Sequence, residues 1–442
     1  MTTSAFLDSI LDLSETPADA LPTALLSMAR DALFDWAAVA RAGRTEPVSV
    51  ILRDLAESEG SKGDASLFGS SHQVAPRAAA LANGATSHAL DYDDTHFAYV
   101  GHPSVAIYPA LLALAEAKDL SLASMLDAYA IGIEAACRIG ARLGRAHYNK
   151  GFHQTATAGA FGAALASARL LGLDRDQRRQ AIGLISTRAS GLKSQFGTMG
   201  KPYNAGLAAS NGVETALLAQ AGMTSADDGL MGHQGFFPTH LNPEDLPDDT
   251  PWLDDGYLAL GLSHKYHACC HGTHAMIDAL TSLCHAHDVS ASDVQAVTLR
   301  TNPRWMSVCN IPSPRTGLEV KFSYVWLAAM VLHKRDTAAL ISYADMTAQD
   351  ENLGRCADQV EVVADAMISD TAAHVVVTLK DGKSLEAAAD IADPLPEDER
   401  VARLKSKACA IDDNAVVAEI WRAVANPQQT SARSFGQILA SR

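Results

Sequence analysis

Positive charge is scarce in this chain relative to negative charge. Its 442 residues carry 35 Lys and Arg against 51 Asp and Glu, a formal net charge of -16. Nucleic acid and anionic membrane surfaces both demand a cationic footprint, so neither is expected as a partner. Long hydrophobic runs are also missing: the most apolar stretches, Ala156 to Ala168 and Tyr324 to Leu332, are too short for a bilayer. The N-terminus, Met-Thr-Thr-Ser-Ala-Phe-Leu-Asp, has neither the basic n-region nor the apolar h-region of a secretory signal. Cysteines are few, scattered and odd in number (Cys137, Cys269, Cys270, Cys284, Cys309, Cys356, Cys409), which suits reduced thiols and excludes a disulfide framework. A cytoplasmic protein is expected. The chain shows no internal repeat, no low-complexity segment and no phosphate-binding Gly-x-x-x-x-Gly-Lys-Ser/Thr loop.

What is present is ample apolar material, 48% of residues against 19% charged. A chain of this length exceeds what one core usually organises, so more than one domain is expected. From about residue 4 to about 250 the pattern is helical: Leu25, Ala29, Ala32, Leu33 and Trp36 recur at three- and four-residue spacing, and no convincing strand run is found. Two helices, around Ala156 to Leu171 and Ala205 to Ala219, are built from small residues on every face, so they are expected to be buried and to approach their neighbours closely. After about Trp252 the grammar changes. Val294 to Thr301 alternates like a strand, and His374-Val-Val-Val-Thr-Leu-Lys runs into Asp381-Gly382, a hairpin turn returning through Ser384 to Ala388. Helical segments are expected at about Cys270 to His287 and Phe322 to Leu332. The expected fold is predominantly α: a large all-helical domain over 1–255, a smaller α+β lid domain over 256–395, and C-terminal helices over 396–442 that return to the helical domain.

Four constellations carry chemistry. The first is His88-Ala-Leu-Asp-Tyr-Asp-Asp-Thr-His96, followed by His102-Pro-Ser. Asp91, Asp93 and Asp94 cannot all be ionised and buried without hydrogen bonds or cations to match them. Read as structure alone, they are solvated, helix-capping aspartates; read as a site, Asp91, Thr95 and His102 converge on one pocket. The second is Gly151-Phe-His153-Gln-Thr ahead of a small-residue helix, where the macrodipole disfavours a charged imidazole. The third, Met199-Gly-Lys201-Pro-Tyr-Asn-Ala-Gly, puts a lysine at a helix entry, suited to a carboxylate. The fourth is His264-Lys265-Tyr-His267-Ala-Cys269-Cys270-His271-Gly-Thr-His274, with Asp278 beyond. Its four histidines and two cysteines raise the question of a metal, but the spacing fits no standard zinc pattern and Gly272 weakens a continuous helix. The competing reading is an anion-binding wall of Lys265 and one or two histidines, with Cys269 and Cys270 as small buried hydrophobes.

In this order and spacing the four motifs resemble the MmgE/PrpD family, which contains 2-methylcitrate dehydratase, cis-aconitate decarboxylase and iminodisuccinate epimerase. The resemblance covers almost the whole chain. It implies a helical domain with an α+β lid, an active site in the cleft between them, homodimers, and no metal or organic cofactor. It also implies a site of Asp91, Thr95, His102, His153, Lys201 and Lys265, with His274 nearby. One departure stands out: where the family often has Phe-Ser-x-x-Tyr, with the tyrosine in the site, this chain reads Phe322-Ser-Tyr324-Val-Trp326. Tryptophan donates one hydrogen bond but cannot transfer a proton as tyrosine can. The expected function is proton abstraction next to a carboxylate of a small anionic di- or tricarboxylate, first as a hydro-lyase of the 2-methylcitrate dehydratase type. The alternatives are an iminodisuccinate-type epimerase, a cis-aconitate-type decarboxylase, or a non-catalytic anion-binding protein of the same fold; a metal-dependent hydrolase is the remaining reading. In the expected assignment His102, His153, Asp91 and Lys265 are catalytic, Thr95, Lys201, His274, Tyr324 and Trp326 contact substrate, and no residue is given to a metal.

Overall fold

The structure, a computed structural model, describes residues 3–252 and 256–441. It divides into two compact units: residues up to His264 together with those from Asp412 onward, and Lys265–Ile411. The chain is 58% helical, with 17 α-helices and small sheets among the described residues, so the fold is mostly helical with a smaller α+β domain. No described helix is long and apolar enough to cross a membrane.

In the first unit, local chemistry sets the helix ends. Pro76 starts the helix Pro76–His88 at a position where no backbone donor is lost, and Asp174 with Gln177 forms a reciprocal capping box on Arg175–Ser186. The core is a layer of small-residue helices. Thr157–Leu170 is buried on every face from Thr157 to Ala168, and it packs on Gly200–Gln220, which in turn packs on Pro76–His88. This close approach is read directly from the glycines where Pro76–His88 crosses Gly200–Gln220. A Cβ on Gly84 would lie 2.8 Å from Gly206 Cα, and one on Gly206 would strike the Leu81 carbonyl. The sequence showed no strand in this half; the structure has two antiparallel pairs, Ala65–Ser66 with Gln73–Val74 and Thr95–His96 with Leu262–Ser263. Strands of two residues are too short to leave an alternation in the sequence.

The second unit holds a four-stranded sheet in the order 360–364, 294–301, 372–379, 384–390. The strand Val294–Thr301 has the bounds expected from its alternation, and Ala372–Leu379 turns through Gly382, at φ 89°, into Ser384–Asp390. The parallel edge strand Val360–Ala364 was not foreseen, because its residues are half exposed and show no apolar alternation. Helix His274–His287 packs on this sheet and against Tyr324–Leu332. Helix formation waits until His274 and does not begin at Cys270, since His271–Thr273 is a single 3-10 turn.

The expected boundary after residue 255 falls beside residues 253–255, which lie outside the described set. The first unit continues to His264, tied down by the Leu262–Ser263 pairing and by His264 Nδ1, 3.2 Å from Asp35 Oδ2. The helix Glu397–Ile411, expected to return to the helical domain, groups with the second unit. Arg403 reaches Asp278 at 3.4 Å and lies over the ring of Tyr266. Asn414–Ala425 and the further helix Ala432–Ala440 join the first unit, where Trp421 packs edge-on to Phe34 and Arg41 holds Asp412 at 2.6 Å.

Candidate active site

Three irregular segments of the first unit deliver polar side chains to one place. Helix Pro76–His88 stops at His88, and three residues later Asp91 takes a left-handed conformation (φ 51°). An aspartate tolerates that conformation better than most residues, but at a cost that makes such positions worth attention. The chain then pairs Thr95–His96 with Leu262–Ser263 and closes a loop through the His96–Gly101 bridge. Gly101 must lack a side chain, because a Cβ there would sit 2.9 Å from the Thr155 backbone nitrogen. That closeness lets the His102 backbone N–H donate to Thr155 Oγ1 at 3.0 Å, which fixes His102 beside the segment carrying His153.

Asp93 is fully buried between two imidazoles. Its Oδ1 accepts from His88 Nδ1 at 2.8 Å, and its Oδ2 lies 2.9 Å from His102 Nδ1. Burial would raise this carboxyl, but His88 and His102 outweigh it and hold it well below the usual carboxylate range. Asp91 bridges outward: its Oδ1 is 3.5 Å from His102 Nε2 and its Oδ2 is 2.7 Å from Lys201 Nζ. Lys201 stands at the start of Gly200–Gln220, and its ammonium lies 5.4 Å from the Phe196 ring.

His153 is set up differently. The Asn204 amide Nδ2 donates to His153 Nδ1 at 3.2 Å, and the same nitrogen donates to the Leu192 carbonyl at 3.3 Å. A carbonyl accepts only from an N–H, so the amide orientation is fixed, and His153 Nδ1 must be the bare nitrogen. Its proton therefore sits on Nε2. Burial first, then the charges of His88, Lys201 and His102, push His153 well below its ordinary range, so it is neutral at physiological pH. Phe196 packs edge-on to its ring at 4.9 Å. His102 has a carboxylate oxygen near each ring nitrogen, Asp93 Oδ2 at 2.9 Å from Nδ1 and Asp91 Oδ1 at 3.5 Å from Nε2, whereas His153 with a bare Nδ1 offers an Nε2–H.

Behind Asp93, Asp94 is buried and accepts from the Ser104 hydroxyl, whose oxygen lies 2.6 Å from the Tyr129 hydroxyl. Burial pushes Asp94 up to about 7, with His264 and the Ser104 hydrogen bond opposing it.

His88, Asp91, Asp93 and His102 place one donor atom each within 4.8 Å of the others, close enough for a cation. The atoms that would face it are already engaged with one another and with the Lys201 ammonium, which would repel a divalent ion. We assign no metal to them.

The second unit holds the remaining expected residues. The histidine-rich run is divided between the units after His264, and no continuous helix carries it. Lys265 is buried; His274 is buried and, through burial and then the charges of His271, His267 and Lys265, is held well below the ordinary histidine range. His267 is held by Thr337 and Asp278 at 2.7 and 3.3 Å. Tyr324, expected to contact substrate, is fully buried: it donates to the Gly272 carbonyl at 2.7 Å and its hydroxyl lies 3.1 Å from Thr301 Oγ1. Burial raises its pKa above the ordinary phenol range. Trp326 is likewise buried.

The structure thus brings Asp91, His102, His153 and Lys201 together, with Thr95 on the adjoining strand. It adds His88, Asp93 and Asn204, which the sequence reading did not assign. Asn204 carried a signal: three residues after Lys201 on a helix, it shares that residue's face. His88 and Asp93 stood inside the first motif, but nothing in the spacing distinguished Asp93 from Asp91 and Asp94.

The MmgE/PrpD N-terminal domain matches residues 13–248 and the MmgE/PrpD C-terminal domain matches residues 267–409. A cis-aconitate decarboxylase from Aspergillus terreus is 26% identical over 445 residues, covering 92% of this chain and 90% of its own length. A cis-aconitate decarboxylase-like protein, oryM, from Aspergillus oryzae is 31% identical over 283 residues, 60% of this chain and 58% of its own. The human cis-aconitate decarboxylase is 30% identical over 275 residues, 59% of this chain and 56% of its own. The match therefore spans little more than half of the latter two proteins. With both domains matched across most of its length, the chain belongs to the MmgE/PrpD family.

Proposed function

We propose that the protein is a lyase that develops and quenches carbanion character beside a carboxylate of a small polycarboxylate. One observation carries the reading: His102, with Asp93 and Asp91 beside its ring nitrogens, and His153, whose Nδ1 accepts from Asn204, gather where Lys201 meets Asp91. Either lyase reaction needs a group that gives a proton and a cation to hold the anionic substrate and stabilise charge as it spreads into a carboxylate, and dehydration needs a group that takes a proton as well. His102 Nε2 is the acceptor, with Asp91 near enough to support the imidazolium that forms. His153 Nε2–H is the donor. Lys201 binds a substrate carboxylate, in exchange for Asp91 or beside it, and Thr95 hydrogen-bonds the substrate. Lys265 is carried over from the family pattern as a second cation.

Decarboxylation of a cis-aconitate-like acid is the reading we place first, because the relatives bear that name. Loss of carbon dioxide leaves a carbanion that delocalises toward a remaining carboxylate, and a neutral donor such as His153 quenches it. Dehydration of a 2-methylcitrate-like acid is the second reading. It is favoured by the acceptor and donor pair, since removing a proton and protonating a departing hydroxyl calls for one of each. The two are separated by assaying purified protein with cis-aconitate for carbon dioxide release and with 2-methylcitrate for the absorbance of the unsaturated product. Gas release from cis-aconitate alone supports the first, absorbance gain alone supports the second, and neither would reject the proposal.

A further inference from the structure

His88 has no part in the reaction described above, yet a plain core histidine does not account for it. Its side chain is fully buried, Nδ1 donates to Asp93, and Nε2 has no hydrogen-bond partner among the described residues. Leaving a buried acceptor unmatched costs free energy that an apolar residue would not incur. The ring also sits 4.6 Å from the His102 ring, centroid to centroid, and 6.1 Å from that of His153. We propose that His88 is a positioning residue that acts through Asp93: by occupying one carboxylate oxygen it aims the other at His102 Nδ1, and so holds His102 in the tautomer with Nε2 bare.

The geometry supports this role in a specific way. Asp93 has one oxygen for each imidazole, at 2.8 and 2.9 Å, and lies on an irregular segment with no helix to fix its side chain. Without His88, the carboxylate is free to rotate about its terminal torsion, which is broad and two-fold for aspartate. His102 would then divide between tautomers, and the fraction with a proton on Nε2 could not accept one from substrate. His88 itself sits on the last residue of the helix Pro76–His88, whose path is set by the close crossing at Gly84 and Gly206.

This inference rests on the proposed role of His102 as proton acceptor, and its test separates the two. His88→Ala and His88→Asn are compared in the full chain; the asparagine amide can donate to Asp93 from near the position of Nδ1. Turnover of His88→Ala should fall about 10- to 100-fold in kcat, as removal of an orienting partner does elsewhere, with KM changed far less. His88→Asn should recover most of that loss. Nitrogen-15 NMR of histidine-labelled protein supplies a second reading that needs no substrate: His102 should carry its proton on Nδ1 in wild type and in His88→Asn, and become a mixture in His88→Ala. Equal impairment of the two variants, or an unchanged His102 tautomer in His88→Ala, would overturn the proposal. Should His88→Ala fail to fold, His88→Asn against His88→Leu carries the same comparison. Absence of turnover in wild type, with the tautomer shift intact, would reject the lyase reading and leave the positioning role standing.

Discussion

Single side chains set the surroundings of the two imidazoles of the proposed site: Asp93 lies beside His102, and Asn204 donates to His153. Replacing Asn204 with aspartate exchanges a donor for an acceptor at His153 Nδ1, so the proton should move from Nε2 to Nδ1. Steady-state kinetics should then show kcat reduced by about 10²- to 10⁴-fold, the usual worth of a positioned proton donor. Wild-type kcat in Asn204→Asp would show that the His153 tautomer is immaterial. A second prediction concerns Asp94, whose folded pKa is raised to about 7 by burial. For a raised acid, folding favours the protonated form, so this group's contribution to stability is complete below its unfolded value and is lost as pH climbs toward 7. Asp94→Asn keeps an acceptor for Ser104 and abolishes that loss. Melting temperature of the variant relative to wild type should rise from pH 5 to pH 8, and a flat or falling difference would contradict the assignment. The same scale shows what the sequence could reveal. Asp91, His102, His153 and Lys201 were legible because each stood beside a helix boundary in a dense polar motif. His88 and Asp93 were not, because their roles depend on which oxygen meets which nitrogen, and no spacing rule encodes that.

Between elements, the arrangement is set by the crossing of Pro76–His88 over Gly200–Gln220. His88 ends the first helix one turn past Gly84, while Lys201 and Asn204 begin the second just before Gly206, so one close backbone contact governs the spacing of both ends. Gly206→Ala puts a methyl against the Leu81 carbonyl and must push the helices apart. Forcing extra volume into a tight contact typically costs about 1–3 kcal/mol, so a lowered melting temperature is expected in thermal unfolding. Because Lys201 and Asn204 ride on the displaced helix, kcat/KM should fall as well, whereas Gly222→Ala at the far end should leave kcat/KM unchanged. Composition announced that the helix around Ala205 to Ala219 would approach its neighbours closely, but not that Pro76–His88 would be the helix that crosses it. It did not announce the short strand pairs or the parallel edge strand Val360–Ala364, whose pairing comes from distant partners and not from any pattern of their own.

Across the whole molecule the formal net charge is -16. A multiply anionic metabolite, the proposed substrate, would have to be held against that general field by local contacts such as the Lys201 ammonium. The order of helical and mixed regions was readable from periodicity, but the allocation of Glu397–Ile411 to the second unit was not, because it depends on Arg403 meeting Asp278 and Tyr266. The expected homodimer is a further proposal, checked by sedimentation against a chain mass of 46.7 kDa. The central claim is that His102 and His153 exchange protons with carbon beside a carboxylate. It is tested most directly by incubating the protein with cis-aconitate and 2-methylcitrate in deuterium oxide and following label by mass spectrometry. The account predicts deuterium at a carbon next to a carboxylate in wild type, and its loss in His102→Ala and His153→Ala; no incorporation from either acid, or incorporation unaffected by both substitutions, would contradict it.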